Sequence, residues 1–313
     1  MATTTASRES AAASSTSSVK RRQKMGAGRA LAWAALIVII LITLFPFYWM
    51  LRTALSTTNA LFTDPASLLP VEFTWGAFAR VLGLATPDEA RAEGGSGASV
   101  DFLLYLRNSA IFSAVATAGQ VFCSALAAYA FARLRWPGRN IVFFAFLTAL
   151  MVPPIFTALP NFILIKNLGL INTFPGLVAP FFFMTPFAIF FLRQFFLGIS
   201  REIEEAAKLD GAGHWRIFFQ IVLPMSSAPL VTLSILTFIN MWNEYLWPLL
   251  VGTGENTRVL TVALGVFRSQ SPQSGADWAG LMAAVLVAAL PLLIVFFAFA
   301  KRIVNSIGFS GMK

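Results

Sequence analysis

The chain has 313 residues, of which 57% are hydrophobic and only 12% are charged. Soluble globular domains carry about 25% charged residues, so this composition excludes an ordinary soluble protein and indicates a membrane protein. The formal net charge is +9, but the basic residues lie near the ends of apolar runs instead of in one dense stripe. That distribution favours membrane topology and contact with anionic lipid headgroups over binding of nucleic acid.

The first nineteen residues are mostly Ala, Ser and Thr, a composition that cannot bury enough apolar surface to fold. We therefore expect residues 1–28 to form a disordered cytoplasmic tail and residues 29–313 to form one membrane domain. Arg21, Arg22 and Lys24 precede the first apolar run, as in a signal peptide. That run is longer than the usual signal-peptide core and ends in aromatic residues without a cleavage site, so it predicts an uncleaved span.

Six apolar runs have about the 20-residue length that crosses a bilayer core. They lie at 30–50, 109–132, 141–160, 174–192, 227–250 and 278–300. The sequence therefore predicts an all-α polytopic membrane protein with six transmembrane helices. Prolines within or beside these runs predict bent helices, because each proline removes a backbone donor.

Lys and Arg residues predict the orientation of the six spans. With the N-terminus inside, the inner segments carry sixteen of the 23 Lys and Arg residues and the outer segments carry seven. Because positive residues near span ends stay cytoplasmic, both termini are predicted to be cytoplasmic. The outer loops are then 51–107 and 251–277. Within them we expect the Gly- and Ser-rich stretch 85–101 to be flexible, and the apolar stretch 259–267 to be available to a partner outside the membrane.

A polar segment, residues 200–224, separates the fourth and fifth apolar runs. Ser200 is placed to cap a short helix with acidic residues in its first turn, as the helix dipole favours. We expect Gly211 to end this helix in the left-handed conformation, and a second segment from about His214 to lead towards Pro224. The pattern predicts a short helix outside the bilayer, tied by a turn to the next span. Taken alone, it also fits an ordinary interfacial helix with solvated charges.

The string EAAKLDGAGHWRIFFQIVLP in this segment resembles the cytoplasmic coupling loop of ABC-type import permeases, the binding-protein-dependent transport family. The strings YAFARLRWPGRN, FFLRQFF, WNEYLWPLL and ALPLLIVFF are similar to those of its carbohydrate-uptake branch, particularly the maltose-type smaller permease. The resemblance implies the type I importer permease fold and a coupling helix that seats in a groove of an ATPase, with Glu205 meeting a basic partner. The matching motif positions are Glu205, Ala206, Ala207, Gly211, Ile221, Leu223 and Pro224. The C-terminal string VNSIGFSGMK resembles only loosely that branch's glycine-rich tail.

The resemblance also implies a complex in the bacterial inner membrane. Its partners would be a second homologous permease, two copies of a cytoplasmic ABC ATPase and an extracytoplasmic solute-binding protein. ATP and Mg would be bound by the ATPase subunits, and no cofactor by this chain. The sequence contains no G-x-x-x-x-G-K-[ST] phosphate loop, so we expect a transport subunit that is not itself an enzyme. The single Cys123 and single His214 predict no catalytic or metal site.

Asn240, Asn243 and Glu244 lie among aromatic residues in the fifth apolar run. Polar groups in a span are costly unless they are paired or face a wet cavity, and amide, carboxylate and aromatic groups together suit a sugar ring. These three residues are therefore candidates for substrate binding. The alternative is that they hydrogen-bond neighbouring helices, and in maltose-type systems the partner permease supplies most of the sugar contacts.

The expected function is that of a permease subunit in an ATP-driven importer of a mono- or oligosaccharide. A polyol or glycerol phosphate is an alternative solute. A secondary carrier driven by an ion gradient is an alternative mechanism, but such carriers usually bury several ionisable groups at mid-membrane. Glu244 is the only acidic residue within the six runs. A non-transporting scaffold or receptor subunit is a third possibility, which would not need the Ile-x-Leu-Pro segment.

Overall fold

The computed structural model describes residues 27–95, 101–269 and 277–308. The predicted tail, 1–28, lies almost wholly outside these residues. Over the described ranges the chain is helical, and its one extended contact is an antiparallel bridge between Ser56 and Phe73. The predicted all-α class is therefore confirmed.

Helices follow one another with short connections. Those of the first half are α1 (Ala27–Ala54), α2 (Thr58–Thr63), α3 (Gly76–Val81), α4 (Pro87–Ala92), α5 (Phe102–Arg133), α6 (Arg139–Thr148), α7 (Pro154–Asn167) and α8 (Phe174–Phe182). Those of the second half are α9 (Pro186–Gly198), α10 (Arg201–Leu209), α11 (His214–Ile217), α12 (Leu223–Met225), α13 (Ser227–Trp242), α14 (Leu246–Val251), α15 (Leu260–Ser269) and α16 (Trp278–Gly308). The chain divides into two compact units, 1–47 and 48–313. Within its described part, the first unit consists of the apolar start of α1.

Among the residues that the structure describes, three unbroken helices are long and apolar enough to cross a membrane: α1, α5 and α16. Three further spans are possible if each of three bent pairs counts as one. The pair α6 and α7 bends by 100°, α8 and α9 by 48°, and the α11–α12 segment and α13 by 78°. Proline lies at or beside each bend, which is the usual cause of a sharp kink. The expected bends are thus present, and six spans result when each pair is counted once.

The fifth apolar run, 227–250, differs from the single helix that its length predicts. Helix α13 ends at Trp242, and α14 begins only at Leu246. The break is stabilised by side chains, because Glu244 Oε1 accepts a hydrogen bond from the Trp247 amide at 3.2 Å. The Thr261 hydroxyl also donates to the Glu244 carbonyl at 2.7 Å. Hydropathy does not reveal such capping, because the helices on both sides of the break are apolar.

Helix α5 forms the centre of the second unit and packs against α8, α9 and α13. Small residues on its surface, including the fully buried Ala116 and Ala128, permit this close approach. At Gly119 an added Cβ would lie only 2.3 Å from the Phe182 ring. The sequence of α5 therefore specifies tight helix contacts and leaves little room for larger side chains on this face.

The outer segment between α1 and α5 is more ordered than predicted. Arg80 of α3 forms ion pairs with Glu93 at 2.8 Å and with Asp277 at 3.2 Å, and α3 packs on α16. The expected flexible stretch 85–101 contains helix α4, which begins with a capping box between Thr86 and Glu89. That expectation was wrong for the first half of the stretch, because local capping outweighs its glycine content. Residues 96–100 lie outside the described residues.

The apolar stretch 259–267 is also placed differently from the prediction. It lies largely in helix α15, which packs between α5 and α16. Val259, Leu260 and Ala263 are buried inside the chain. Residues 259–265 are therefore buried or half-buried within the chain and do not offer an exposed apolar patch to a partner. The glycines that precede it belong to a fixed loop, because the Gly254 amide donates to Asn172 Oδ1 at 2.8 Å.

Candidate functional site

The candidate coupling helix is α10. The Ser200 hydroxyl accepts a hydrogen bond from the Glu202 amide at 3.3 Å, as its capping position predicts. At the other end Gly211 has φ +80°, its amide donates to the Lys208 carbonyl at 3.0 Å, and the Ala212 amide donates to the Ala207 carbonyl at 2.9 Å. These bonds form a Schellman termination. The predicted left-handed end at Gly211 is confirmed.

A buried ion pair attaches α10 to the rest of the chain. Glu204 Oε1 lies 3.0 Å from Arg133 Nε, and the two side chains are only 7% and 3% exposed. Arg133, at the end of α5, also donates from Nη2 to the carbonyls of Phe196 and Ile199. One arginine therefore joins the ends of α5 and α9 to the coupling helix. Sequence reasoning missed this pair, because a single sequence does not show which distant charges meet.

The seven predicted coupling residues separate into two groups. Ala207, Ile221 and Leu223 are partly buried and pack against a core cluster of the chain that includes Phe196, Ile217 and Val222. Glu205, Ala206, Gly211 and Pro224 are exposed. The first group contacts the core of the chain, and the second group is the more exposed of the two.

Large apolar side chains at the end of α10 and the start of α11 are exposed. Leu209 is 90% exposed and Trp215 is 68% exposed, and they flank the turn at Gly211. Together with the exposed Ala206 they form a surface that we call the apolar tip. Exposed aromatic and aliphatic groups at a turn outside the spans are typical of an interaction site. The motif resemblance did not include Leu209 or Trp215, although both lie inside the quoted string.

The segment from α11 to the next span passes through a π turn, Phe218–Val222, immediately before Pro224. Its aromatic side chains contact α5. Phe219 stacks on Trp215 at a centroid distance of 6.2 Å and on Phe122 of α5 at 6.5 Å. Phe218 lies 5.2 Å from the Tyr129 ring. Irregular turns of this type are frequent at functional sites, and here the turn joins the apolar tip to the central helix.

The three substrate candidates all lie at the break between α13 and α14. Asn240 and Asn243 are exposed, and Asn243 Nδ2 donates to the Ile239 carbonyl of its own helix at 2.8 Å. The Glu244 carboxylate is half-buried and caps α14 through the Trp247 amide. Glu244 thus has a structural partner, as the alternative interpretation anticipated. Asn240 and Asn243 remain accessible from outside the chain.

No group of three or more His, Cys, Asp and Glu side chains within residues 27–95, 101–269 and 277–308 is arranged to hold a metal ion. His214 lies on the exposed start of α11.

Residues 120–308 match the family described as binding-protein-dependent transport system inner membrane component. The chain belongs to this family. It is 32% identical over 281 residues to the diacetylchitobiose uptake system permease protein NgcG of Streptomyces coelicolor, covering 89% of this chain and 87% of that protein. It is also 33% identical over 262 residues to the sn-glycerol-3-phosphate transport system permease protein UgpE of Yersinia pestis, covering 83% of this chain and 89% of that protein.

The fold is shared with a solved structure. One chain in the crystal structure of a bacterial ABC transporter involved in the import of the acidic polysaccharide alginate superimposes with a TM-score of 0.70. The two chains are 23% identical, and the match covers 87% of this chain and 95% of the other. The type I importer permease fold expected from the sequence is therefore confirmed. The chain is a multi-pass inner-membrane component of a transport system that works with a binding protein.

Proposed function

We propose that this chain is the permease subunit of an ATP-driven importer of a carbohydrate, and that the apolar tip of its coupling segment docks on an ATPase. The observation that carries the coupling proposal is the exposure of Leu209 at the end of α10 and of Trp215 at the start of α11. The opposite face of α10 is fixed to the chain by Glu204 and Arg133. The coupling segment is attached rigidly on one side and exposes an apolar surface on the other. Such a segment is suited to receive motion from another protein.

The contacts supply a route for that motion. ATP and Mg bind to the partner ATPase subunits, and the closing of these subunits moves α10. The Arg133–Glu204 ion pair carries the displacement to α5 and α9, and the stacked rings of Trp215, Phe219 and Phe122 carry it along the π turn. The bent spans then change between inward and outward access. Glu205, exposed beside the apolar tip, is free to meet a basic group of the ATPase.

The proposed complex contains a second homologous permease, two copies of the ATPase and an extracytoplasmic solute-binding protein. The chain itself has no ATPase site and no enzymatic role. Both termini and the coupling segment face the cytoplasm, as the excess of Lys and Arg in the inner segments supports. The outer loop 251–277 is proposed to face the binding protein, and its residues 259–265 are buried or half-buried within the chain.

The break between α13 and α14 is the proposed substrate-facing region. Discontinuous helices in transporters often form binding sites, since their ends leave polar groups accessible. Asn240 and Asn243 supply amide groups there, and Glu244 supports the break. NgcG is a diacetylchitobiose permease by name, which favours a carbohydrate.

A second candidate solute is glycerol 3-phosphate, because the UgpE relatives are as similar to the chain as NgcG is. A phosphate group normally calls for nearby Lys or Arg. Residues 227–251, which form α13 and α14, contain neither Lys nor Arg. The region has no cationic side chain to pair with a phosphate, which favours an uncharged sugar.

The proposal is tested by affinity purification of the tagged chain from mild detergent, followed by mass spectrometry of the proteins that remain bound. We expect a second permease and an ATPase to co-purify, and Leu209→Asp to remove the ATPase and abolish solute uptake. Leu84→Asp is the matched control, because Leu84 is 76% exposed but lies in the outer segment. The co-purifying binding protein is then screened against sugars and glycerol 3-phosphate. Recovery of the intact chain alone, in detergents that preserve known importers, would favour a secondary carrier.

A further inference from the structure

A basic groove lies beside the coupling helix, between α10 and the turn that joins α5 to α6. Its volume is about 1100 Å³, and its walls include Arg135 and Arg139 on one side and Arg201 and Lys208 on the other. Glu205 also lines the groove. The coupling proposal assigns no role to these four cations, so the groove needs a separate explanation.

The charge in the groove is not balanced. Arg133 and Glu204, which also line it, neutralise each other in their buried ion pair. None of the other four cations has an ion pair with any residue that the structure describes. Only Glu205 opposes them, and the net positive charge favours an anionic occupant.

One wall of the groove continues into the membrane. Helix α6 starts at Arg139 and forms the first part of a candidate span. Two of its apolar residues, Ile141 and Phe144, are 76% and 64% exposed, as expected for side chains that face lipid, whereas Phe143 is buried. Trp136, also in the groove wall, is of the type that prefers the membrane interface. A molecule with an anionic head and an apolar tail would contact both parts of this surface.

We propose that the groove binds the phosphate headgroup of an anionic phospholipid, whose acyl chains lie along the exposed apolar face of α6. Basic pockets at the ends of transmembrane helices are suited to such headgroups. The bound lipid connects the α5–α6 turn, through Arg135 and Arg139, with the coupling helix, through Arg201 and Lys208. It therefore holds α10 against the membrane domain together with the Arg133–Glu204 pair. This proposal goes beyond the transport function and does not depend on the solute.

The test compares lipid retention by two variants of the full chain, purified in mild detergent with a mixture of phosphatidylglycerol and phosphatidylcholine and examined by native mass spectrometry. Arg201→Gln/Lys208→Gln removes two cations from the groove. Lys166→Gln/Arg216→Gln removes two exposed cations that do not line it. We expect the groove variant to bind phosphatidylglycerol roughly fivefold more weakly for each charge removed, and the control variant to bind it like the wild-type chain.

Three results would overturn the proposal. Equal loss of phosphatidylglycerol from both variants would show a diffuse effect of charge. Displacement of the lipid by millimolar inorganic phosphate, with phosphate binding that depends on Arg201 and Lys208, would identify a soluble anion as the occupant. Release of the lipid whenever the ATPase subunits co-purify would assign the groove to an acidic surface of that protein. Matching thermal unfolding of the two variants ensures that the comparison concerns binding and not folding.

Discussion

The two ends of α5 are both held by polar side chains, but in different surroundings. At the outer end Asn108 is fully buried, and its Nδ2 donates to the carbonyls of Asn256 and Arg258, each at 3.0 Å. At the inner end Arg133 binds Glu204 of α10. The outer loop that Asn108 holds is continuous with the buried core at α15, whereas the helix that Arg133 holds carries the exposed apolar tip.

This difference separates a part of the chain whose apolar residues are buried from a part whose apolar residues are exposed. Neutral hydrogen bonds at the outer end fix a loop that leads directly into the buried residues Val259 and Leu260. The inner end uses a buried ion pair, which adds little net stability compared with an apolar contact but is costly to break. Such a pair sets the position of α10 firmly without covering its outer face. The position of the coupling helix is therefore determined by this chain, whereas its outer face stays exposed.

The largest effect is expected from breaking the ion pair at the inner end. Glu204→Ala leaves the Arg133 charge buried without its carboxylate partner, and we expect the free energy of unfolding to fall by about 3–5 kcal/mol. Thermal unfolding in detergent, followed by tryptophan fluorescence, measures this loss. Glu205→Ala is the matched control, because the neighbouring carboxylate is exposed and its removal should leave unfolding unchanged.

Equal stability of the Glu204→Ala and Glu205→Ala variants would show that the inner end is not fixed by the ion pair. A second substitution sharpens the result. Replacing both partners, in Arg133→Met/Glu204→Leu, removes the unpaired charge and should restore part of the lost stability. The Arg133 bonds to the Phe196 and Ile199 carbonyls would still be missing, so recovery should be incomplete.

A smaller loss in the free energy of unfolding is expected from a substitution at the outer end of α5. Asn108→Ala leaves the carbonyls of Asn256 and Arg258 without their donor, which should lower the free energy of unfolding by about 1–3 kcal/mol. The loop 252–258 should become more accessible to protease, whereas the coupling segment should not change. Asn243→Ala serves as control, because the Asn243 amide bonds only within its own helix among the described residues. Increased cleavage near Gly211 instead would contradict the independence of the two ends.

A smaller loss of stability is expected from substitution of Gly211, at the turn that ends the coupling helix. An alanine there must adopt φ +80°, which costs about 1–2 kcal/mol for a residue with a Cβ. Gly213→Ala is a close control, because Gly213 has φ −75° and neither position has an atom within 4 Å of an added Cβ. We expect only Gly211→Ala to shift the orientation of the apolar tip and reduce retention of the ATPase. Equal retention by both variants would mean that the turn does not position the tip.

The sequence predicted those features of the fold and of the coupling segment that depend on residues close together in the chain. The apolar runs predicted the spans, and the position of Gly211 after a short helix predicted its left-handed conformation. The Arg133–Glu204 and Asn108–Arg258 contacts could not be predicted, because they join residues far apart in the sequence. Helix α15 was missed since a short apolar run bounded by Gly and Ser is ambiguous between loop and helix. Whether Asn240 and Asn243 contact a solute depends on surfaces that other chains contribute.

The smallest expected effect is a pH-dependent change in the stability of helix α4, which lies in the outer segment. Hydrogen bonds from the Thr86 amide and hydroxyl lower the pKa of the exposed Glu89 carboxyl below its usual range. A lowered pKa in the folded state means that the ionised form stabilises α4. This contribution is present above the unfolded pKa of about 4.3 and is lost as the pH falls through the folded pKa. The hydrogen-exchange rates of residues 87–93 in the wild-type chain and in Glu89→Gln, which carries no ionisable group there, should converge with acidification, while exchange in α10 is unaffected. A parallel change of hydrogen exchange in α10 would show that the outer and inner regions are coupled. That result would contradict the independence of the two ends of α5.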